Sequence, residues 1–115
     1  MTGTSWQHRK IAAITLAALG VAFTAVAARA DDASAKLYAS KCVACHAADG
    51  SGNTPVGKTL KLKDLKDPDA VKQTDAELTT IITKGKDKMP AYEKTLKPAE
   101  IAGLVAYVRT LQGKK

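Results

Sequence analysis

Cys42, Cys45 and His46 stand together in the run Cys42-Val43-Ala44-Cys45-His46. At ~100° per residue on a helical turn, the two sulfurs rise on nearly the same face. Both can then reach the vinyl groups on one edge of a porphyrin, while the imidazole turns beneath the macrocycle and offers a nitrogen to its iron. This is the attachment spacing of a c-type haem. Two thioether bonds hold the group and the histidine sets its electronics.

Other uses of two cysteines fit less well. A Cys-x-x-Cys disulfide closes a short loop and constrains little of the chain. A thioredoxin-like pair belongs near a βαβ pattern, and no strand-rich alternation surrounds Cys42. Zinc takes about four ligands, whereas the chain beyond residue 30 holds two cysteines and one histidine.

A second axial ligand is sought among the remaining soft donors. Met89 is the one methionine beyond the first residue, in Lys86-Asp87-Lys88-Met89-Pro90-Ala91-Tyr92. A lone methionine is usually core filler, but this one falls in a polar loop, and Pro90 biases it toward extended backbone. A thioether there would raise the reduction potential relative to a second imidazole. A five-coordinate or lysine-ligated iron, with Met89 packed nearby, is the alternative.

The elements that position these residues begin after a leader. His8-Arg9-Lys10 is a basic start, Ile11 to Ala28 is uncharged and apolar, and Ala28-Arg29-Ala30 is a small-x-small cleavage pattern. Residues 1–30 therefore read as a secretory signal and 31–115 as one small domain. The apolar stretch approaches the lower limit of a membrane span, so an uncleaved anchor is the competing reading. Export suits the chemistry, because c-type haem is attached outside the bacterial cytoplasm. Arg9, Lys10 and Arg29 leave with the leader and no acid does, so the net charge of +7 falls to +4. Trp6 and Phe23 leave too, and Tyr38, Tyr92 and Tyr107 remain as the aromatics. So thin a core needs a cofactor to complete it, and the apoprotein is expected to be largely unfolded.

The domain reads as all-α. Asp31-Asp32 is positioned to cap a first helix over Ala33 to Cys45. Ala47 to Val56 reads as a loop, followed by a lysine-rich stretch from Gly57 to Asp69 that holds Leu60, Leu62 and Leu65 and ends at Pro68. Thr74-Asp75-Ala76-Glu77 has the form of a capping box, with Leu78, Ile81 and Ile82 on one face of the helix it opens and Gly85 stopping it. Pro98 opens the last helix, with a stripe of Ile101, Leu104, Val105, Val108 and Leu111, and with Gly103 thin enough to admit another helix.

These motifs resemble the small monohaem class I cytochromes c of bacteria. The resemblance runs from Leu37-Tyr38 through the Cys42–His46 motif and the Asp49-Gly50-Ser51-Gly52-Asn53-Thr54-Pro55 loop. It continues through Met89-Pro90-Ala91 to Ile101 and Leu104-Val105-Ala106-Tyr107-Val108. It implies three to four short helices around one covalently attached haem c, with His46 and Met89 on the iron and no catalytic residues. It also implies that the first and last helices cross with Tyr38 near Leu104 and Tyr107, and that the Pro55 carbonyl accepts a hydrogen bond from His46. Two features depart from common members: Ser34 and Ala35 stand where a glycine often eases the crossing, and no tryptophan remains for a haem propionate.

The function expected is a soluble periplasmic one-electron carrier, not an enzyme. The rivals are a haem protein with an open iron position, acting as ligand sensor or enzyme, and a membrane-anchored electron-transfer subunit. Lys58, Lys61, Lys63, Lys66, Lys84, Lys86, Lys88, Lys94 and Lys97 flank the two loops that would cover the haem, a basic rim suited to redox partners with acidic docking surfaces. Plain solubility is its other reading. Nucleic acid is not an expected partner, nor is membrane insertion once the leader is cut, and the domain is expected to be a monomer.

Overall fold

The structure is a computed structural model and describes residues 21–114. The basic start of the leader and the first part of its apolar stretch lie outside the described residues. Among the described residues six helices follow one another: α1 (Val21–Lys41), α2 (Val43–His46), α3 (Pro55–Thr59), α4 (Pro68–Val71), α5 (Asp75–Lys84) and α6 (Pro98–Leu111). Among the described residues the sole β pairing is an isolated bridge between Lys86 and Met89. None of their helices is long and apolar enough to cross a membrane.

The first helix differs from the sequence expectation at both ends. It starts well before Asp31-Asp32, so these carboxylates cap nothing. It stops at Lys41 because Cys42 turns to φ −117°, ψ −33°, and α2 begins afresh at Val43. The Cys45 N–H then bonds the Cys42 carbonyl at 3.2 Å. The attachment motif thus occupies its own short turn at a break in the helix.

Three prolines act as starters, Pro98 among them at the head of α6. Pro55 and Pro68 each sit in the first turn of a helix, where a missing N–H costs nothing. Pro68 therefore opens α4 rather than merely ending the lysine-rich stretch, and Asp67 caps it by accepting from the Asp69 N–H at 3.0 Å. The capping box of α5 is formed: the Thr74 hydroxyl accepts from the Glu77 N–H at 3.1 Å, and the Glu77 carboxylate accepts from the Thr74 N–H at 2.7 Å. Gly85 ends α5 at φ +78°. Lys97, an unexpected start for α6, is served by Glu100, whose carboxylate accepts its N–H at 2.7 Å.

The core lies where α1 and α5 meet α6. Ser34 and Tyr38, four apart on α1, face Gly103 and Tyr107, four apart on α6. The Tyr38 and Tyr107 rings lie 5.0 Å apart, tilted by 46°, and Tyr38 and Leu104 are each only 2% exposed. Leu78, Ile82, Ile101, Val105, Val108 and Leu96 complete the cluster. The glycine that eases the crossing is on the last helix: a Cβ built on Gly103 would collide with the Ser34 hydroxyl. Leu96, from the loop before α6, was not visible as a core residue because no helical period surrounds it.

Arg109 fastens the far end of α6. Its guanidinium donates to the Asp75 carboxylate at 2.9 Å and to the Gln112 side chain at 2.8 Å, and it also bonds the Gln73 carbonyl. The Gln112 amide donates to the Leu65 carbonyl at 2.8 Å. The long segment between α3 and α5 is thereby held to the core.

Gly103→Ala should lower stability by about 1–3 kcal/mol through overpacking, read as the urea midpoint of the haem-loaded protein. Because the collision is with the serine oxygen, adding Ser34→Ala should restore most of the loss. An equal loss in the double variant would place the strain elsewhere.

Candidate haem-binding site

Cys42, Cys45, His46 and Met89 line one cleft of about 540 Å³. Its walls include the apolar side chains of Leu60, Leu62, Ile81 and Pro90, with Tyr92 beside them. An apolar pocket of this size with a few convergent donors is the ordinary form of a cofactor site.

Each donor is delivered by a local cause. The break at Cys42 sets one thiol at the cap of α2 and the other, that of Cys45, within its single turn, and neither is in a disulfide. Burial pushes the Cys42 thiol up to about 11, with the neighbouring Cys45 a lesser cause. A redox-active pair needs the reverse shift, toward thiolate. Burial likewise holds the His46 imidazole below its ordinary value, and so in the neutral form that binds metal.

Met89 sits in a closed turn. Its N–H bonds the Lys86 carbonyl at 2.8 Å and its carbonyl accepts the Lys86 N–H at 3.2 Å. Asp87 inside the turn adopts φ +53°. At the entry, a Cβ on Gly85 would lie 2.6 Å from the Met89 carbonyl, so the turn could not close on another residue there.

The loop after His46 is held by backbone bonds and by two side chains, Tyr38 of α1 and Thr54 at the cap of α3. Ala47 has φ +65°, ψ 164°, a region occupied almost only by glycine. Its carbonyl accepts the buried Tyr38 hydroxyl at 2.8 Å. The Thr54 hydroxyl donates to the Cys45 carbonyl at 3.0 Å and accepts from the Gly57 N–H at 2.9 Å. Gly57 passes so close that a Cβ would collide with the Gly52 carbonyl and lie 2.6 Å from that of Cys45.

One expected contact is not made. His46 Nδ1 is buried without a hydrogen-bond partner, while the Pro55 carbonyl, turned into α3, accepts the Thr59 hydroxyl at 2.9 Å. Pro55 itself is exposed and does not line the cleft. The cause is the Thr54 cap, which starts α3 at Pro55 and commits that carbonyl to the helix.

The residues fit a haem on these observations: two reduced thiols, a neutral imidazole with an orphaned buried nitrogen, and apolar walls around them. Residues 29–108 match the family described as cytochrome c oxidase, cbb3-type, subunit III. The chain belongs to this family of c-type cytochromes. It is similar to cytochrome c6 of Picosynechococcus sp., 35% identical over 108 residues that cover 87% of this chain and 92% of that protein. It is 40% identical over 75 residues to cytochrome c6 of Anabaena variabilis, covering 64% of this chain and 83% of the relative. The cbb3-type cytochrome c oxidase subunit FixP of Bradyrhizobium sp. is 39% identical over 85 residues, but these are 28% of FixP. Among solved structures, the c-type cytochrome KustC0563 superposes with a TM-score of 0.63 at 31% identity, covering 71% of this chain and 98% of that one.

The protein is thus a small class I c-type cytochrome with covalently bound haem c, and it is a cytochrome rather than an enzyme. Sequence reasoning missed Tyr92 and Ile81 as cleft residues. Tyr92 could have been suspected from its place two positions after Pro90, an aromatic in an otherwise polar loop.

Without haem, the cleft would leave its apolar walls to water. A Cys42→Ser/Cys45→Ser variant should therefore lose most of its helical circular dichroism, and retention of the full signal would show that the core stands alone. His46→Ala should abolish stable haem-loaded protein, read as haem absorbance per exported chain; a normal yield would remove His46 from its role.

Proposed function

We propose that the chain is exported, is cut after Ala30, and serves in the periplasm as a soluble carrier of single electrons in which His46 and Met89 would hold the iron of its haem. The observation that carries this reading is the convergence of Met89 on the cleft of Cys42, Cys45 and His46 from a distant part of the chain. When bound, the haem supplies an iron that takes up and releases one electron.

The residues around it account for the rest. The neutral His46 offers a lone pair without a proton to displace, and the thioether of Met89 favours the reduced state. Leu60, Leu62 and Ile81 keep water from the site, so the surroundings rearrange little when the iron changes charge. An iron held by both His46 and Met89 would have no open position for a substrate, in keeping with transfer rather than catalysis.

Partner choice is proposed to rest on charge. Lys41, Lys61, Lys63, Lys86 and Lys88 ring the cleft. Lys63 is engaged by Asp69 at 3.2 Å, and Lys84 by Glu93 at 2.7 Å. Such a rim speeds encounter with acidic partner proteins and loses its effect as salt rises. The domain is proposed to act as a monomer.

Met89→Ala should keep the haem attached while lowering the reduction potential and letting carbon monoxide bind the reduced protein at neutral pH. An unchanged potential would remove Met89 from the iron, and carbon monoxide binding by the unaltered protein would favour an open iron position. Mass spectrometry of exported protein should find residues 1–30 missing and one haem mass gained. A retained leader would indicate a membrane-anchored subunit instead.

A further inference from the structure

We propose that Tyr92 is a positioning residue, a strut that ties the Met89 turn to the chain just before the haem-attachment motif and so holds the thioether on the iron. The proposal rests on the reading of Met89 as axial ligand.

The geometry is specific. The break at Cys42 diverts the Cys45 N–H to the Cys42 carbonyl, which leaves the Lys41 carbonyl among the helix-end acceptors that need a partner from outside the helix. The Tyr92 hydroxyl, from 51 positions along the chain, donates to that carbonyl at 3.1 Å. Lys41 directly precedes Cys42, and Tyr92 lies three positions after Met89, so one side chain spans the two segments that carry the iron's ligands. Both residues line the cleft itself.

Tyr92 can act as a strut because its own backbone is anchored. Its N–H bonds the Ile82 carbonyl of α5 at 3.1 Å, and its carbonyl accepts the N–H of Leu96, a core residue, at 2.9 Å. The ring is half-buried against the core. Motion of the Met89 turn away from α1 therefore has to break the hydroxyl bond or drag a fixed ring.

A built-in control exists on the other side of the motif. The Tyr38 hydroxyl bonds the Ala47 carbonyl at 2.8 Å, directly after His46. The two tyrosines thus bind the carbonyls that flank Cys42–His46, but only Tyr92 belongs to the methionine turn.

The test uses ferric, haem-loaded protein titrated with imidazole, followed by loss of the weak red absorption band of thioether-ligated iron. Tyr92→Phe keeps the ring and removes the hydroxyl. It should raise the apparent imidazole affinity by about three- to tenfold, the weight of one hydrogen bond, and lower the reduction potential, while haem content stays unchanged. Tyr38→Phe should leave imidazole affinity within about twofold of the unaltered protein, less than one such bond is worth. Unchanged affinity in Tyr92→Phe, or equal rises in both variants, would overturn the strut. Absence of the red band in the unaltered protein would instead overturn the ligation by Met89, and the strut with it.

Discussion

The contact of Ser34 with Gly103, where α1 and α6 come close enough to exclude a single methyl group, is the constraint on which the rest of the molecule depends. That approach seats Tyr38 against Tyr107 and Leu104 and so buries its ring. A buried tyrosine hydroxyl needs a partner, and the Ala47 carbonyl supplies it. Through this sequence of contacts, the packing of two helices reaches the residue next to His46. Close-packed interiors transmit displacement in this way because few voids exist to absorb it.

The chain after the attachment motif is held in a conformation it would not choose alone. Ala47 occupies a region that costs about 1–3 kcal/mol for a residue with a side chain. Around it, the His46 carbonyl accepts the Gly52 N–H at 2.8 Å, the Thr54 hydroxyl grips the Cys45 carbonyl, and Gly57 passes against both. The result brings Leu60 and Leu62 back to roof the cleft. Strain at this point is what lets a short loop reverse direction and close over the donors of α2.

Charge is distributed by a different rule. Arg109 is only 15% exposed and has its donors committed to Asp75, Gln112 and the Gln73 carbonyl, so it works as a fastener rather than as surface charge. The pairs Lys63–Asp69 and Lys84–Glu93 are solvent-exposed and contribute little stability. The lysines around the cleft mouth likewise add little to how the protein folds.

Local chemistry was legible in the amino-acid sequence wherever neighbours in the chain do the work. The spacing of Cys42, Cys45 and His46, the capping box at Thr74, the stop at Gly85 and the stripe of α6 all depend on a few adjacent residues, and each is found where the sequence places it. Gly103 was legible as a thin spot, but its partner was not, since Ser34 meets it only across a helix crossing. The extent of α1, the break at Cys42 and the role of Pro68 as a starter escaped because short-range signals there point both ways. Met89 was expected beside the attachment motif from its polar loop and Pro90, and it does line that cleft; tertiary structure alone decided that the Tyr92 hydroxyl reaches the Lys41 carbonyl. It also decided that the Pro55 carbonyl turns into α3 and leaves His46 Nδ1 without it. These are pairings between segments whose approach is set by the summed packing of α1, α5 and α6, and no periodicity within either segment encodes them.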